Sequence, residues 1–144
     1  MVDEFLVRPG PDGLPRISHL KPRPSANGHR PAKVLLHGHC YQKAQPPSED
    51  GYPTGVPATV SMLQALGFDV EVVDSGCCGM AGAFGYEAEH YDISVKVGEL
   101  SLFPAVRKSG AEAVIVAAGT SCRSQIQDGT AREAVHPVCL IDME

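Results

Sequence analysis

From Ala32 onward the chain alternates short, valine-rich apolar runs with longer segments of helical period, and each of the first three runs is followed within a few residues by cysteine. This alternation constrains the fold more than any other feature. Apolar runs with little polar alternation suit strands covered on both faces, and the segments between them are long enough to cross over as helices. Lys33-Val34-Leu35-Leu36-His37 reads as the first central strand. Residues 57–66 read as a helix, with Val56, Val60, Leu63 and Leu66 on one stripe and Gly67 as its stop. Residues 68–73 and 113–118 read as the second and third strands. Between them residues 87–108 read as one long helix, acidic at its start (Glu87, Glu89) and basic at its end (Arg107, Lys108). Gly98 in its middle costs roughly 1 kcal/mol against alanine, so a close neighbour is expected there. A short helix from Ser121 to about Asp128 and a last strand over residues 138–141 complete a βαβαβαβ order. The expected class is therefore α/β, a small and mostly parallel sheet with crossover helices.

With 144 residues the chain has the length of one domain. Six of its 12 prolines fall within residues 1–31, where they block helix and ladder alike, so that stretch reads as a Pro-rich linker or extension and residues 32–144 as the compact domain. A 43% hydrophobic and 20% charged composition is that of a soluble globular protein. No apolar run approaches the roughly 20 residues of a membrane span, and the start MVDEFLVRPG lacks the basic and apolar parts of a signal peptide. A cytoplasmic chain is expected, reaching a membrane only through partners. The net charge of −5 argues against nucleic acid as a partner.

The five cysteines are odd in number, and in a reducing compartment such thiols serve as metal ligands or redox groups more often than as disulfides. Cys40 follows the first strand, Cys77 and Cys78 the second, and Cys122 the third, which places all four at the carboxyl edge of a parallel sheet, where ligands bind. Cys122 also lies in the first turn of a helix capped by Thr120, where the macrodipole favours thiolate. Gly76 and Gly79 bracket the cysteine pair and free the backbone to turn both sulfurs toward one centre. Cys40, Cys77, Cys78 and Cys122 are thus the candidate metal or cofactor ligands. Cys139, inside the expected last strand, reads as a small buried filler.

Several readings compete. Four sulfurs suit a structural zinc site, although CxxC knuckles are missing, and soft thiolates by themselves do not separate zinc from iron–sulfur. Cys77 and Cys78 also allow a vicinal disulfide or a thiol–disulfide function. The glycine-rich run 76–85 matches neither GxGxxG nor the P-loop. His39, beside Cys40, is a candidate ligand or hydrogen-bond donor to sulfur, whereas His90 and His136 read as ordinary helix and loop residues. There is no constellation for hydrolysis.

Three stretches, HGHCYQKA at 37–44, DSGCCGMAGAFGYE at 74–87 and GTSCRSQI at 119–126, resemble the CCG cysteine-rich domain family. The resemblance spans about residues 32–138, and the middle stretch is the specific one. The family includes the iron–sulfur subunits of glycolate oxidase, anaerobic glycerol-3-phosphate dehydrogenase and heterodisulfide reductase, and the C-terminal modules of FAD-linked oxidases. The resemblance implies an iron–sulfur cluster, [4Fe-4S] by its four cysteines, in a domain that passes electrons and turns over no substrate by itself. It implies as partner a flavin dehydrogenase domain or subunit that holds the FAD, and a ferredoxin-like iron–sulfur domain as a further one. Where the heterodisulfide reductase members close the third motif as CxxC, this chain has Gln125, and on a helix that side chain is expected to share the face of Cys122.

Overall fold

A computed structural model describes residues 1–24 and 33–142. In chain order its elements are α1 (Val2–Val7), β1 (Lys21–Pro22), β2 (Lys33–His37), α2 (Cys40–Lys43), α3 (Gly55–Ala65), β3 (Asp69–Val72), α4 (Tyr91–Leu100), α5 (Leu102–Lys108), β4 (Val114–Ala117), α6 (Thr120–Thr130), β5 (Ala134–Val135) and β6 (Ile141–Asp142). The run Val34-Leu35-Leu36 is buried throughout because β2 lies inside a four-stranded parallel sheet of order β3-β2-β4-β5. Alternate residues serve opposite faces. Val34, Leu36 and Val116 pack with Val7, Ala58, Met62 and Leu63 of α1 and α3, while Leu35, Ile115 and Ala117 pack with Leu102, Phe103, Val106 and Ile126 of α5 and α6. The result is the expected α/β architecture of helices on both faces of a parallel sheet. From β2 the chain steps outward to β3, then returns to β4 and steps the other way to β5, so the order reverses between β2 and β4. Loops diverge there at the carboxyl ends and leave a crevice.

The expected helix over 87–108 is two helices, broken at Ser101 with φ −154° and ψ −39°. Pro104 explains the break: in a continuous helix it would remove a hydrogen bond and clash with the carbonyl of Leu100, whereas in the first turn of α5 its missing N–H costs nothing. The close neighbour expected at Gly98 is Phe103, whose ring would lie 2.4 Å from a Cβ at that position. The expected strand over 138–141 is also displaced. Parallel pairing occurs earlier, at β5, and residues Pro137–Leu140 form a 3-10 turn capped by His136, whose Nδ1 accepts the Val138 N–H at 3.2 Å. Pro137 presets the φ of that turn. Cys139 therefore lies exposed in a turn rather than buried in a strand.

Residues 1–24 depart from the extension expected of them, and residues 25–32 lie outside the described residues. The prolines begin only at Pro9, which leaves Val2–Val7 free to form α1. Val7 and Ile17 are buried in the core with α3, and β1 pairs antiparallel with β6. Polar contacts fix the docking. Glu4 Oε1 accepts the Gly55 N–H at 3.0 Å at the start of α3, and the buried Asp3 carboxylate accepts hydrogen bonds from Thr59 and from Gln42 of α2.

Candidate metal centre

Each cysteine reaches the crevice by a local device. After β2 the chain passes Gly38 to His39, which caps α2: its Nδ1 accepts the Tyr41 N–H at 3.2 Å, and Gln42 Oε1 accepts the His39 N–H at 3.0 Å. This reciprocal cap sets Cys40 as the first residue of α2. The loop after β3 carries Cys77 and Cys78. Gly79 adopts φ +97°, and a Cβ there would lie 2.2 Å from the Ser94 carbonyl oxygen, so only glycine fits. Gly76 has neither constraint, so of the two bracketing glycines only Gly79 is required by the backbone. Lys43 Nζ donates to the carbonyls of Ser75 and Gly76 and ties this loop to α2. Cys122 occupies the first turn of α6, whose capping residue is Gly119 rather than Thr120. A Cβ on Gly119 would press to 2.3 Å from the His39 ring and 3.0 Å from Cys122 Sγ.

These devices bring Cys40, Cys77, Cys78 and Cys122 to one pocket of about 440 Å³, which His39 and Tyr41 also line. Cys78 and Cys122 are buried, Cys77 is half-buried and Cys40 is exposed. His39, the histidine marked out in the sequence, is spent as a cap and stacks on Tyr41, with ring centroids 5.3 Å apart. The histidine that sequence reasoning passed over is His37. It is 1% exposed, and one of its ring nitrogens, Cys78 Sγ and Cys122 Sγ all lie within 4.8 Å of one another. Strand parity was the signal for it: residues 35 and 37 share the face packed by α5 and α6. His37 Nδ1 sits 2.9 Å from Ser75 Oγ, and its buried Nε2 makes no hydrogen bond of ordinary geometry among the described residues.

The thiols divide one charge unequally. Cys78 is pulled down to about 4, foremost by a hydrogen bond from Cys122, with His37 and the Met80 N–H adding to it and burial opposing. Cys122 is pushed up, first because its S–H is held by Cys78 and then by burial, so the macrodipole expected to favour its thiolate is outweighed. Burial pushes the Cys40 thiol up, and charge on Cys77 adds to it. One thiolate is thus favoured and further negative charge is resisted, an obstacle that a bound cation removes. Gly79 N–H donates to Cys77 Sγ at 3.3 Å. Gln125 is buried as expected, its Nε2 donating to the Cys78 carbonyl at 3.1 Å and to Ser94 O and Oγ at 3.2 and 3.0 Å. Four converging thiols and a buried imidazole nitrogen without an ordinary hydrogen bond make a donor set that fits a soft metal centre, whether iron–sulfur or zinc.

Sequence comparison finds relatives among dehydrogenases. One subunit of the anaerobic glycerol-3-phosphate dehydrogenase from Escherichia coli is 32% identical over 112 residues, covering 77% of this chain and 26% of that protein. D-2-hydroxyglutarate dehydrogenase from Pseudomonas putida is 30% identical over 146 residues, 94% of this chain and 13% of that protein. The Escherichia coli D-2-hydroxyglutarate dehydrogenase is 35% identical over 102 residues, 70% of this chain and 9% of that protein. The chain belongs to the CCG cysteine-rich domain family. This CCG domain spans about a quarter or less of the length of these relatives, which are dehydrogenases or dehydrogenase subunits. No protein-family model matches the chain, and no solved structure matches it at a significant level. Among the described residues no helix of the CCG domain is long and apolar enough to cross a membrane.

Proposed function

We propose that this chain is the iron–sulfur electron-transfer domain of a FAD-linked 2-hydroxy-acid dehydrogenase system in the cytoplasm, and that by itself it turns over no substrate. The observation that carries the reading is the convergence of Cys40, Cys77, Cys78 and Cys122, from three loops distant in sequence, on one pocket at the switch point of the sheet. These four thiolates would hold the cluster, [4Fe-4S] by their number. Such a cluster supplies one-electron transfer at a potential set by its charge, its burial and the hydrogen bonds to its sulfurs. The chain's own residues serve those ends. Cys78 and Cys122 give a dry inner wall, Gly79 N–H bonds a sulfur, and exposed Cys40 marks the side open to a partner. That partner is a flavin dehydrogenase domain or subunit holding the FAD, with a ferredoxin-like iron–sulfur domain as the other terminus.

A zinc-stabilised docking domain is the second reading, favoured by one observation: the buried group of His37, Cys78 and Cys122 resembles part of a tetrahedral zinc site. Purification without air, followed by iron, acid-labile sulfide and zinc analysis, separates the two. Iron and sulfide in similar amounts with broad visible absorption are expected; stoichiometric zinc without sulfide supports the docking domain. Cys78→Ser or Cys122→Ser should strip the metal, because a hard hydroxyl replaces a soft thiolate. Cys139→Ser, in an exposed turn, should leave the metal content unchanged.

A further inference from the structure

His37 is buried at the strand ends, and the four-cysteine reading leaves it idle. Among the described residues the Nε2 of this side chain, only 1% exposed, makes no hydrogen bond of ordinary geometry, and a buried polar atom left so needs an explanation. Its ring is already oriented from the other side, where Nδ1 meets Ser75 Oγ at 2.9 Å. With Ser75 accepting the Nδ1 proton, Nε2 keeps a free lone pair. Metal-binding histidines use their second nitrogen in this way, which fixes tautomer and orientation. Cys78 and Cys122 are the neighbours of this ring, within 4.8 Å, on the same face of the sheet.

We propose that His37 is a ligand of the metal centre through Nε2, so that His37, Cys78 and Cys122 form its inner side while Cys77 and Cys40 complete it from the mouth of the pocket. The inference rests on the reading that this pocket holds a metal centre. A neutral imidazole adds a donor to that centre and leaves its net charge unchanged. Nitrogen ligation changes the potential of an iron–sulfur centre, as where histidine replaces cysteine at one iron. His39 is the nearest rival, but its Nδ1 is committed to the Tyr41 N–H.

The test uses the full chain, purified without air from cells fed isotopically labelled histidine, as wild type and as His37→Gln and His39→Gln. In the reduced protein, nitrogen hyperfine coupling is expected in wild type and His39→Gln and lost in His37→Gln, whose potential also changes. Coupling absent from wild type, or lost with His39→Gln instead, overturns the proposal while the iron and sulfide content still upholds the cluster. Should the metal be zinc, X-ray absorption of wild type decides: one nitrogen among the sulfurs supports His37, and an all-sulfur shell overturns it. A chain that binds no metal overturns this proposal and the cluster reading together. Ser75→Ala keeps the test independent of folding at position 37, because it touches only the far side of the ring; altered nitrogen coupling at unchanged metal content is expected, and unchanged coupling counts against the arrangement.

Discussion

Gln125 joins three parts of the molecule through one amide nitrogen: α6, which carries it, the Cys78 carbonyl, and Ser94 of α4. It stands three residues after Cys122, on the helix face directed at the cysteine loop, and instead of binding metal it holds the backbone of a residue that would. Gln125→Ala leaves the buried Cys78 carbonyl without this donor, so a loss of about 1–3 kcal/mol in urea unfolding is expected. Gln125→Cys tests the same geometry from the chemical side. A thiol at that place adds a soft donor without removing one, and the spectrum or potential of the anoxic protein should change while metal content stays. Free labelling of the new thiol in the folded protein, with no spectral change, would contradict the buried position. The same residue-scale logic separates the two histidines next to Cys40, since neighbours in sequence have opposite fates: His37 ends a strand with its ring buried, and His39 begins a helix as its cap.

At the scale of elements, one aromatic ring organises the helices on the cysteine-bearing face. Phe103 is 1% exposed and fits against two glycines, Gly98 of α4 and Gly129 of α6, where an added Cβ would fall 2.4 and 2.2 Å from its Cζ. The break at Ser101 is what turns α5 so that Phe103 can lie between them, and Pro104 enforces the break. Gly129→Ala sets two effects against each other. Alanine improves helix propensity by up to about 1 kcal/mol, while forcing a buried ring to move costs about 1–3 kcal/mol. Because the ring is walled in on both sides, the steric effect should win, giving a net loss of about 1–2 kcal/mol seen as a lower denaturant midpoint with unchanged slope. Phe103→Leu combined with Gly129→Ala should recover part of the loss, as the two sites touch. Stabilisation by Gly129→Ala alone would show that α5 and α6 pack less closely than described.

Across the whole molecule, residues 1–24 act as part of the domain rather than as its tether. Asp3 accepts from Gln42 and Thr59, and Gln42 in turn accepts the His39 N–H, so α1 is linked through buried polar groups to the start of the helix that carries Cys40. Glu4 caps α3 through Gly55. The Gly55 N–H is the foremost cause that holds the Glu4 carboxyl below its ordinary 4.5, with the terminal amine adding to it. A carboxyl lowered in the folded state adds stability that is fully present above the unfolded value and is lost as pH falls through the folded one. The Gly55 amide resonance should therefore titrate with a midpoint below 4.5 and stop doing so in Glu4→Gln. A midpoint at or above the ordinary value would mean that α1 does not dock through this contact.

The strands β2, β3 and β4, the helix over Gly55–Ala65 and the placing of four cysteines beyond their ends were legible in the sequence, because period, glycine stops and unbroken apolar runs are properties of neighbouring residues. Pro104 stands in the sequence too, and its missing N–H outweighs the helical period that runs across it. The prolines of residues 1–31 obscured a proline-free stretch before Pro9 that had enough apolar surface to dock. Other features depend on contacts between segments far apart in the chain, and only the tertiary structure decided them. Burial of Cys78 and Cys122 but not Cys40, the unequal sharing of charge between two sulfurs, and the nearness of a buried His37 to the two inner sulfurs follow from how β2, the loop after β3 and α6 meet. The proton affinity and reach of a donor are set by what surrounds it, and at the carboxyl edge of a parallel sheet those surroundings come from every crossover at once.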